Sequence, residues 1–361
     1  MFLENDEMNL EIELPEPYLS TYLVNYIKED PRFYVIVTGE WGRKVKNCSF
    51  VYIHGEVYSA REENLDPLVE LFRRKYGQEH IDRHSMSSGT GFVLEKIDKP
   101  SKNRYEILES EFDEVSKNYE STVRGNPVEV YMRDRTSNLL SSFAKDDMSI
   151  LEIGCGTFME AAAIRSRVRI TCAELSNEMI VKARENCRSL DNIEVEMLKV
   201  SSGFVKTEKK YDIVFTTFGY LDLEKIETIE ATLKENLKTG GIFIGAYWNR
   251  LGLLDLLISI LLGRIKYVKQ KIRGMVQPDF SRFTTATIPK NPMRFSKIQG
   301  FSLIKKLGVC TIIPPYNFIR VAKRLENNKA LFGMDKLVSS IPLIKNFGDY
   351  IIVVLRRENG S

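Results

Sequence analysis

From residue 149 onward, short apolar runs alternate along the chain with segments whose apolar residues recur at helical spacing. The runs are SILEI, RITCAEL, IEVEMLKV, YDIVFTTF and GGIFIGAYW. Such alternation is typical of a parallel, doubly wound α/β sheet. Two further strand-like segments, FSLIKKLGVCTII and YIIVVLRR, follow near the C-terminus. They indicate a hairpin-type return, so we predict that the sheet ends in an antiparallel C-terminal strand.

The first hundred residues follow a different pattern. RFYVIVTGEW and CSFVYIHGEVYSA are rich in aromatic and β-branched residues, which favours strands between residues 31 and 60. NLDPLVELFRRKYG has helical spacing, and GTGFVLEKI indicates another strand. With KPSKN as a linker, we predict a small α+β or β-barrel-like domain over 1–103. An α/β domain over 104–361 would then begin with helices around 106–119 and 127–144.

Composition narrows the class of protein. A length of 361 residues fits about two domains, and 43% hydrophobic with 28% charged residues is an ordinary globular balance. The net charge of +3 is too small to indicate a nucleic-acid partner. The acidic start, MFLENDEMNLEIELPEP, has no basic segment before an apolar core, so we expect no secretory leader and a cytoplasmic location. No apolar run reaches the ~18 residues of a membrane span.

Cysteine usage bears on redox state and metals. The chain has five cysteines, an odd number without a C-x-x-C pair: Cys48, Cys155, Cys172, Cys187 and Cys310. Such a set is typical of reduced thiols in a cytosolic protein rather than of a disulfide framework or a zinc site. We therefore expect free thiols and no metal.

The stretch SILEIGCGTFMEAAA predicts a nucleotide-binding loop. Residues 149–153 form the predicted strand, Gly154-Cys155-Gly156 a tight turn, and 158–163 the start of a helix. Glycines let backbone N–H groups approach a ligand, and a helix N-terminus carries partial positive charge. Glu152, inside the strand, favours a cationic ligand. Glu174 ends the next strand about twenty residues on, where an acid can bind both ribose hydroxyls.

Four segments in order resemble the class I S-adenosylmethionine-dependent methyltransferases. They are LEIGCGT, AELSNEMIVKARE, YDIVFTTFGYLD and LKTGGIFIGAYWNR, the last with Thr239 where the family has proline. The resemblance covers roughly 105–361 and implies a Rossmann-like methyltransferase sheet, S-adenosylmethionine as cofactor, and a small-molecule acceptor. The cofactor-binding residues that it implies are Tyr119, Glu152, Gly154, Cys155, Gly156, Thr157, Glu174, Leu175, Ser176, Met179, Ser201 and Thr216.

Two positions depart from the family's pattern. Phe158 stands where a third glycine is usual, and we expect it to narrow the site without abolishing it. Lys199-Val200-Ser201 stands where the family often has an aspartate that binds adenine, so Ser201, Ser202 or a backbone group would take that role. Tyr119 has two interpretations, one as a contact of the cofactor and one as an ordinary packing residue.

No general base stands out for the reaction. The three histidines all lie in the N-terminal third, so the candidates are Tyr220 and Asp222, just after the fourth strand, and His84 from the other domain. The sequence does not choose among them, and it does not indicate the acceptor or the oligomeric state.

A lid-like insert is predicted at about 249–293. It contains the apolar LLDLLISILLG, followed by a basic stretch that begins at Arg264. This combination favours an amphiphilic acceptor and a peripheral contact with anionic lipid. In the alternative interpretation, the leucines pack on the sheet and the basic residues form a solvated helical face.

The N-terminal domain is faintly similar to the flavin-linked pyridoxamine-phosphate-oxidase-like split barrels, which would imply a flavin. A plain substrate-recognition or dimerisation domain is the other interpretation. A second function for the whole chain also stays open at this point. The chain would then be a catalytically silent S-adenosylmethionine-binding module that acts through its N-terminal domain.

Overall fold

The structure is a computed structural model that describes residues 9–274, 276, 287–315, 318–325 and 328–358. The chain divides into two compact units, Met1–Glu111 and Phe112–Ser361. The helix Arg104–Ser116 crosses this division. No helix within the described ranges is long and apolar enough to span a bilayer.

The N-terminal unit contains one antiparallel sheet. Its strands are β1 (Leu10–Glu13), β2 (Thr21–Val24), β3 (Tyr26–Glu29), β4 (Arg32–Val37), β5 (Phe50–Ile53), β6 (Glu56–Glu63) and β7 (Thr90–Lys96). They are arranged in the order β2-β1-β5-β6-β7-β4-β3. The helices are α1 (Glu40–Cys48), α2 (Leu65–Tyr76) and α3 (Gln78–Arg83). The predicted helix over NLDPLVELFRRKYG and the predicted strand over GTGFVLEKI are thus confirmed.

Helix α1 was not predicted, because its residues lie inside the range that was assigned to strands. Its apolar residues recur at helical spacing, so that Val45 and Cys48 are buried in the core of the unit. Lys44 is buried beside them, with its ammonium 4.3 Å from the centre of the Trp41 ring. This short amphipathic segment was not recognised as a helix because it lies between strands of high β-propensity.

The C-terminal unit contains a mixed seven-stranded sheet. Its strands are β8 (Ser149–Ile153), β9 (Val168–Glu174), β10 (Ile193–Lys199), β11 (Tyr211–Thr216), β12 (Leu237–Trp248), β13 (Phe301–Val309) and β14 (Tyr350–Arg357). The order is β10-β9-β8-β11-β12-β14-β13. The first five strands are parallel, and β14 is antiparallel to both of its neighbours. The predicted doubly wound sheet with an antiparallel C-terminal strand is confirmed.

The helices from residue 104 onward differ from the prediction most at the glycine turn and at the insert. They are α4 (Arg104–Ser116), α5 (Tyr119–Arg124), α6 (Pro127–Phe143), α7 (Asn177–Cys187), α8 (Tyr220–Leu223), α9 (Ile226–Asn236), α10 (Leu253–Leu261), α11 (Ile265–Arg273), α12 (Pro292–Phe295), α13 (Ile319–Arg324) and α14 (Lys329–Val338). The helix predicted from residue 158 is wrong, since only a short 3₁₀ turn forms at Ala161–Ala163. The apolar insert is two helices, which separate at Gly263, where φ is +70°. Residues 275 and 277–286 of the predicted insert lie outside the described residues.

The sheet of the C-terminal unit is buried on both faces. Ile150 of β8 and Ile213 of β11 belong to one core cluster, whereas Leu151 and Val214 belong to the cluster on the other face. Strands covered on both faces have continuous apolar sequences rather than alternating ones. This is why the apolar runs of the sequence predicted these strands correctly.

The cysteines do not all behave as predicted. Cys155, in the turn after β8, and Cys172, in β9, form a disulfide with Cα atoms 5.7 Å apart. The expectation of five reduced thiols is therefore wrong for this pair, while Cys48, Cys187 and Cys310 are free. The two residues meet because β8 and β9 are neighbouring parallel strands. Their spacing along the sequence does not reveal this adjacency.

Candidate functional site

A crevice is expected where the sheet reverses its winding. β8 lies between β9 and β11, so the chain leaves it toward one side for β9 and returns on the other side with β11. In open α/β sheets, ligands bind outside the carboxyl ends of the strands at this switch point. Glu152, Glu174 and Thr216 lie at the carboxyl ends of β8, β9 and β11, and all three are buried. The topology thus brings the predicted acids together.

The Glu174 carboxylate fastens the glycine turn to the start of α7. One oxygen, Oε2, accepts a hydrogen bond from the Gly156 amide at 2.9 Å. The other, Oε1, accepts from the Leu175 amide at 2.7 Å and the Ser176 amide at 2.9 Å. Burial raises the pKa of Glu174, and these three N–H groups oppose the shift because they stabilise the charged form.

Ser176 caps helix α7 and connects it to α4. Its hydroxyl oxygen accepts from the Met179 amide at 3.1 Å and donates to Asp113 at 2.5 Å. Asp113 also accepts from the amide of Glu178 at 3.2 Å. Met179 packs with Tyr119 in a small buried cluster. The sequence missed Asp113, which lies on a helix outside the motifs.

The glycine turn passes between two tyrosines. Gly154 and Gly156 have φ of +68° and +55°, values that side-chain-bearing residues rarely adopt. A Cβ atom at Gly154 would lie 3.6 Å from Tyr220, and one at Gly156 would lie 3.7 Å from the Tyr119 ring. Both distances are ordinary van der Waals contacts, so it is the positive φ that requires glycine at these two positions.

Glu152 carries a buried oxygen with no hydrogen-bond partner in the described part of the chain. This atom is Oε2, and the hydroxyls of Thr157 and Thr216 are buried and unpartnered in the same way. Burial and the neighbouring Glu174 raise the pKa of Glu152 to about 8, while Arg133 opposes the shift. The carboxyl is thus mostly protonated at pH 7. An approaching cation would stabilise its charged form.

Arg133, on α6, forms a buried cluster that the sequence analysis missed. It donates to the Tyr119 hydroxyl at 2.6 Å, to Glu129 at 3.3 Å and to Glu160. Its guanidinium also lies 5.4 Å from the centre of the Phe218 ring. A weak signal was present, since Glu129 and Arg133 are four residues apart on the helix face that buries Val128 and Met132.

The residues predicted to bind adenine differ in their exposure and in their hydrogen bonds. Ser201 is exposed, whereas the Ser202 hydroxyl donates to the Phe204 carbonyl at 2.8 Å. Lys199 donates to the Leu175 carbonyl, so its ammonium is held at the end of β9. Of the two serines, Ser201 is the more accessible to a ligand.

The candidate bases lie in distinct environments. Tyr220 donates to the Gly203 carbonyl at 2.8 Å, and its hydroxyl oxygen lies 3.0 Å from the Thr232 hydroxyl. Asp222 is buried and accepts from the Trp248 amide at 2.7 Å, and burial raises its pKa to about 6 although that N–H opposes the shift. His84 belongs to the N-terminal unit, where its exposed ring lies 4.4 Å from that of His80. Their catalytic roles stay predictions.

Comparison with protein families assigns the central part of this region. Residues 150–241 match the family described as methyltransferase domain (Methyltransf_25). The match contains the glycine turn, both acids of the crevice and β11. A search of the curated proteins gave no match to the sequence.

Several solved structures are similar to the chain at low sequence identity. A protein assigned as a methyltransferase, in complex with the Haloferax volcanii Trm112 methyltransferase activator, is 12% identical with a TM-score of 0.44, covering 70% of this chain and 99% of that chain. The DhpI–SAH complex is 13% identical with a TM-score of 0.43, covering 69% and 95%. The S-adenosylmethionine-dependent methyltransferase from Mesorhizobium loti is 12% identical with a TM-score of 0.41, covering 61% and 96%. Likenesses this distant assign no substrate.

Phe158 occupies a left-handed backbone conformation and a core position together. Its φ is +65°, and its side chain is buried in the cluster that contains Cys155 and Ile170. The side chain thus packs into the core of the unit although its backbone is left-handed. The left-handed residue costs about 1–2 kcal/mol, whereas truncating a buried phenylalanine costs about 3–5 kcal/mol. Burial therefore outweighs strain.

We predict that Phe158→Gly lowers the free energy of unfolding by about 2–4 kcal/mol, because the lost burial exceeds the relieved strain. Affinity for S-adenosylmethionine should be unchanged or improved, since the change removes bulk beside the turn. Denaturant unfolding and calorimetry measure the two effects. Phe158→Ala is the matched control and should be about 1 kcal/mol less stable than Phe158→Gly. Equal stability of the two variants would contradict the left-handed conformation at this position.

Proposed function

We propose that this protein is an S-adenosylmethionine-dependent methyltransferase that acts on a small-molecule acceptor. The observation that carries the proposal is the unpartnered, buried Oε2 atom of Glu152 beside a glycine turn that Glu174 holds in place. A buried polar atom without a partner is costly unless a ligand satisfies it. A ligand with a cationic group and a sugar matches these two acids.

Four residues have a proposed part in holding this cofactor. Glu152 would accept from the ammonium of the methionine moiety, and Tyr119 and Met179 would pack against the cofactor. A carboxylate offers about four acceptor positions. Three positions on Glu174 are taken by backbone amides, which leaves one on Oε2. We therefore assign one ribose hydroxyl to Glu174, not the two that the sequence suggested.

S-adenosylmethionine, when bound, supplies a methyl group on a positively charged sulfur. The chain has to orient the acceptor and exclude water from the crevice.

A general base is needed only if the acceptor must lose a proton. Asp222 has a pKa of about 6, so near pH 7 its carboxyl is mainly charged. It is our first candidate for that part, ahead of Tyr220, whose hydroxyl proton is already donated to the Gly203 carbonyl.

The class of acceptor is a second proposal. We infer an amphiphilic small molecule, because the insert beyond β12 exposes leucines next to basic residues.

The resemblance of the N-terminal unit to flavin-linked split barrels stays a prediction.

Removing the Glu174 carboxylate tests the donor site. We predict that Glu174→Ala weakens binding of S-adenosylmethionine about ten- to hundredfold, because a charged hydrogen bond is lost and the turn loses its fastening. Glu174→Gln should lose less, since its amide oxygen can still accept. Isothermal titration calorimetry measures the affinities, and circular dichroism checks the fold.

Asp212→Asn is a matched control for this experiment. Asp212 also binds a backbone amide, that of Ser149 at 2.9 Å, but at the opposite end of β8. Its replacement should leave the affinity unchanged. Unaltered affinity of a folded Glu174→Ala variant would overturn the assignment of the site.

Protonation of Glu152 gives an independent prediction. The pKa of about 8 means that the free protein holds this proton at pH 6.5, and a bound ammonium group favours the carboxylate. Binding at pH 6.5 should therefore release about one proton, and affinity should rise with pH toward 8 as the proton is lost beforehand. Calorimetry in buffers of different ionisation enthalpy counts the protons. Glu152→Gln should release none, and equal release by both proteins would refute the contact.

A further inference from the structure

Helix α10 has its polar side facing inward and its apolar side facing outward. Asp255 and Ser259, four residues apart, are each only 1% exposed. The exposed side chains of the helix are all apolar: Leu253 at 48%, Leu257 at 48%, Ile260 at 49% and Leu261 at 85%. A surface helix of a globular protein normally buries its apolar stripe. The sequence-based alternative, in which the leucines of this run pack on the sheet, does not hold for these four exposed side chains.

A buried ion cluster keeps α10 in this orientation. Asp255 accepts from the Lys271 ammonium at 2.5 Å and from the Tyr267 hydroxyl at 2.6 Å. Lys271 also donates to Asp349 at 2.9 Å, directly before β14. Asp255, Lys271 and Asp349 are all buried. Rolling the leucines inward would leave buried charges without partners, so the outward apolar face is built into the fold.

A second apolar strip meets the first. In the segment 341–347, the exposed fractions are 45% for Ile341, 80% for Leu343 and 41% for Phe347. The Leu253 amide donates to the Phe347 carbonyl at 3.0 Å, which joins this segment to the start of α10. We call the exposed apolar side chains of α10 and of 341–347 the apolar face. A monomeric protein seldom exposes a large contiguous apolar surface without a partner for it.

The exposed charges on the segments that carry and flank the apolar face are of one sign. The segments 249–274 and 328–349 contain three acidic residues, Asp255, Asp335 and Asp349, and each is 2% exposed or less. The exposed charged residues of these segments are all cations: Lys266, Lys269, Arg273, Lys329 and Lys336. A second copy of the chain would bring an equally cationic rim, so self-association through this face is disfavoured. An anionic surface complements it.

We propose that the apolar face docks on an anionic lipid surface, with α10 lying in the interface and the surrounding lysines and arginine near the headgroups. Apolar burial and attraction to anionic lipid together give such helices their affinity, and each cation near the surface adds to it. The inference goes beyond the proposed methyl transfer and does not depend on it.

Co-sedimentation of the full chain with vesicles tests the proposal. The protein should bind vesicles of phosphatidylcholine with phosphatidylglycerol at low salt, at least tenfold more weakly when phosphatidylglycerol is left out, and more weakly at high salt. The double variant Leu257→Ser, Leu261→Ser should lose about tenfold or more. The triple variant Lys266→Gln, Lys269→Gln, Arg273→Gln should lose the preference for anionic vesicles.

Two control variants make the same kinds of substitution, leucine to serine and lysine to glutamine, at exposed positions outside the apolar face. Leu23→Ser changes a leucine of the N-terminal unit that is 60% exposed, and Lys210→Gln, Lys225→Gln removes exposed cations of the C-terminal unit. Both should bind vesicles like the unaltered protein. Calorimetry with S-adenosylmethionine on the Leu257, Leu261 variant should show unchanged affinity, which separates failure here from failure of the donor site.

Three outcomes would overturn the proposal. The unaltered protein could fail to sediment with anionic vesicles at low salt. The control variants could lose as much binding as the variants of the apolar face. The protein could form a dimer without vesicles that Leu257→Ser, Leu261→Ser dissociates, in which case the face covers a second copy.

Discussion

The three backbone hydrogen bonds to the Glu174 carboxylate are the interaction on which the cofactor crevice depends. They join the glycine turn after β8 to the end of β9 and the first turn of α7. The turn needs such a fastening, since Gly154, Gly156 and Phe158 all have positive φ and no regular helix follows them. The disulfide between Cys155 and Cys172 links the same two elements. With the turn held, Glu152 stays buried at the carboxyl end of β8, where we propose that it binds the cofactor's ammonium group.

A second buried charge cluster organises the other part of the same sheet edge. Because β14 is antiparallel to β12, the start of β14 lies beside Trp248 at the carboxyl end of the parallel strands. Asp349, just before β14, accepts from the indole of Trp248 at 3.1 Å and binds Lys271 of the insert. The insert is thus anchored at the edge formed by the carboxyl ends of the parallel strands. A lipid-docked apolar face at this edge would place the crevice close to amphiphilic acceptors, which connects the two proposals.

The sequence predicted what local pattern and chain order determine. The strands of the parallel sheet, the glycine turn and the positions of Glu152 and Glu174 follow from runs buried on both faces and from residues at strand ends. Features that depend on distant partners were missed. Arg133 reaches the crevice from a helix without a motif, and the Cys155–Cys172 pair forms only because β8 and β9 are neighbours. The apolar run over α10 did not predict which way its leucines face, because that orientation depends on the ion pairs of the buried Lys271.

Incubation with methyl-labelled S-adenosylmethionine in a cell extract is the measurement that tests the central claim most directly. The unaltered protein should release S-adenosylhomocysteine and transfer label to a small molecule in equal amounts. Glu174→Ala, tested at the same concentration of the donor, should do so far more slowly. If the unaltered protein binds S-adenosylmethionine in the calorimeter yet yields neither S-adenosylhomocysteine nor a labelled product across extracts, the chain is a silent binding module and the account of a methyltransferase is wrong.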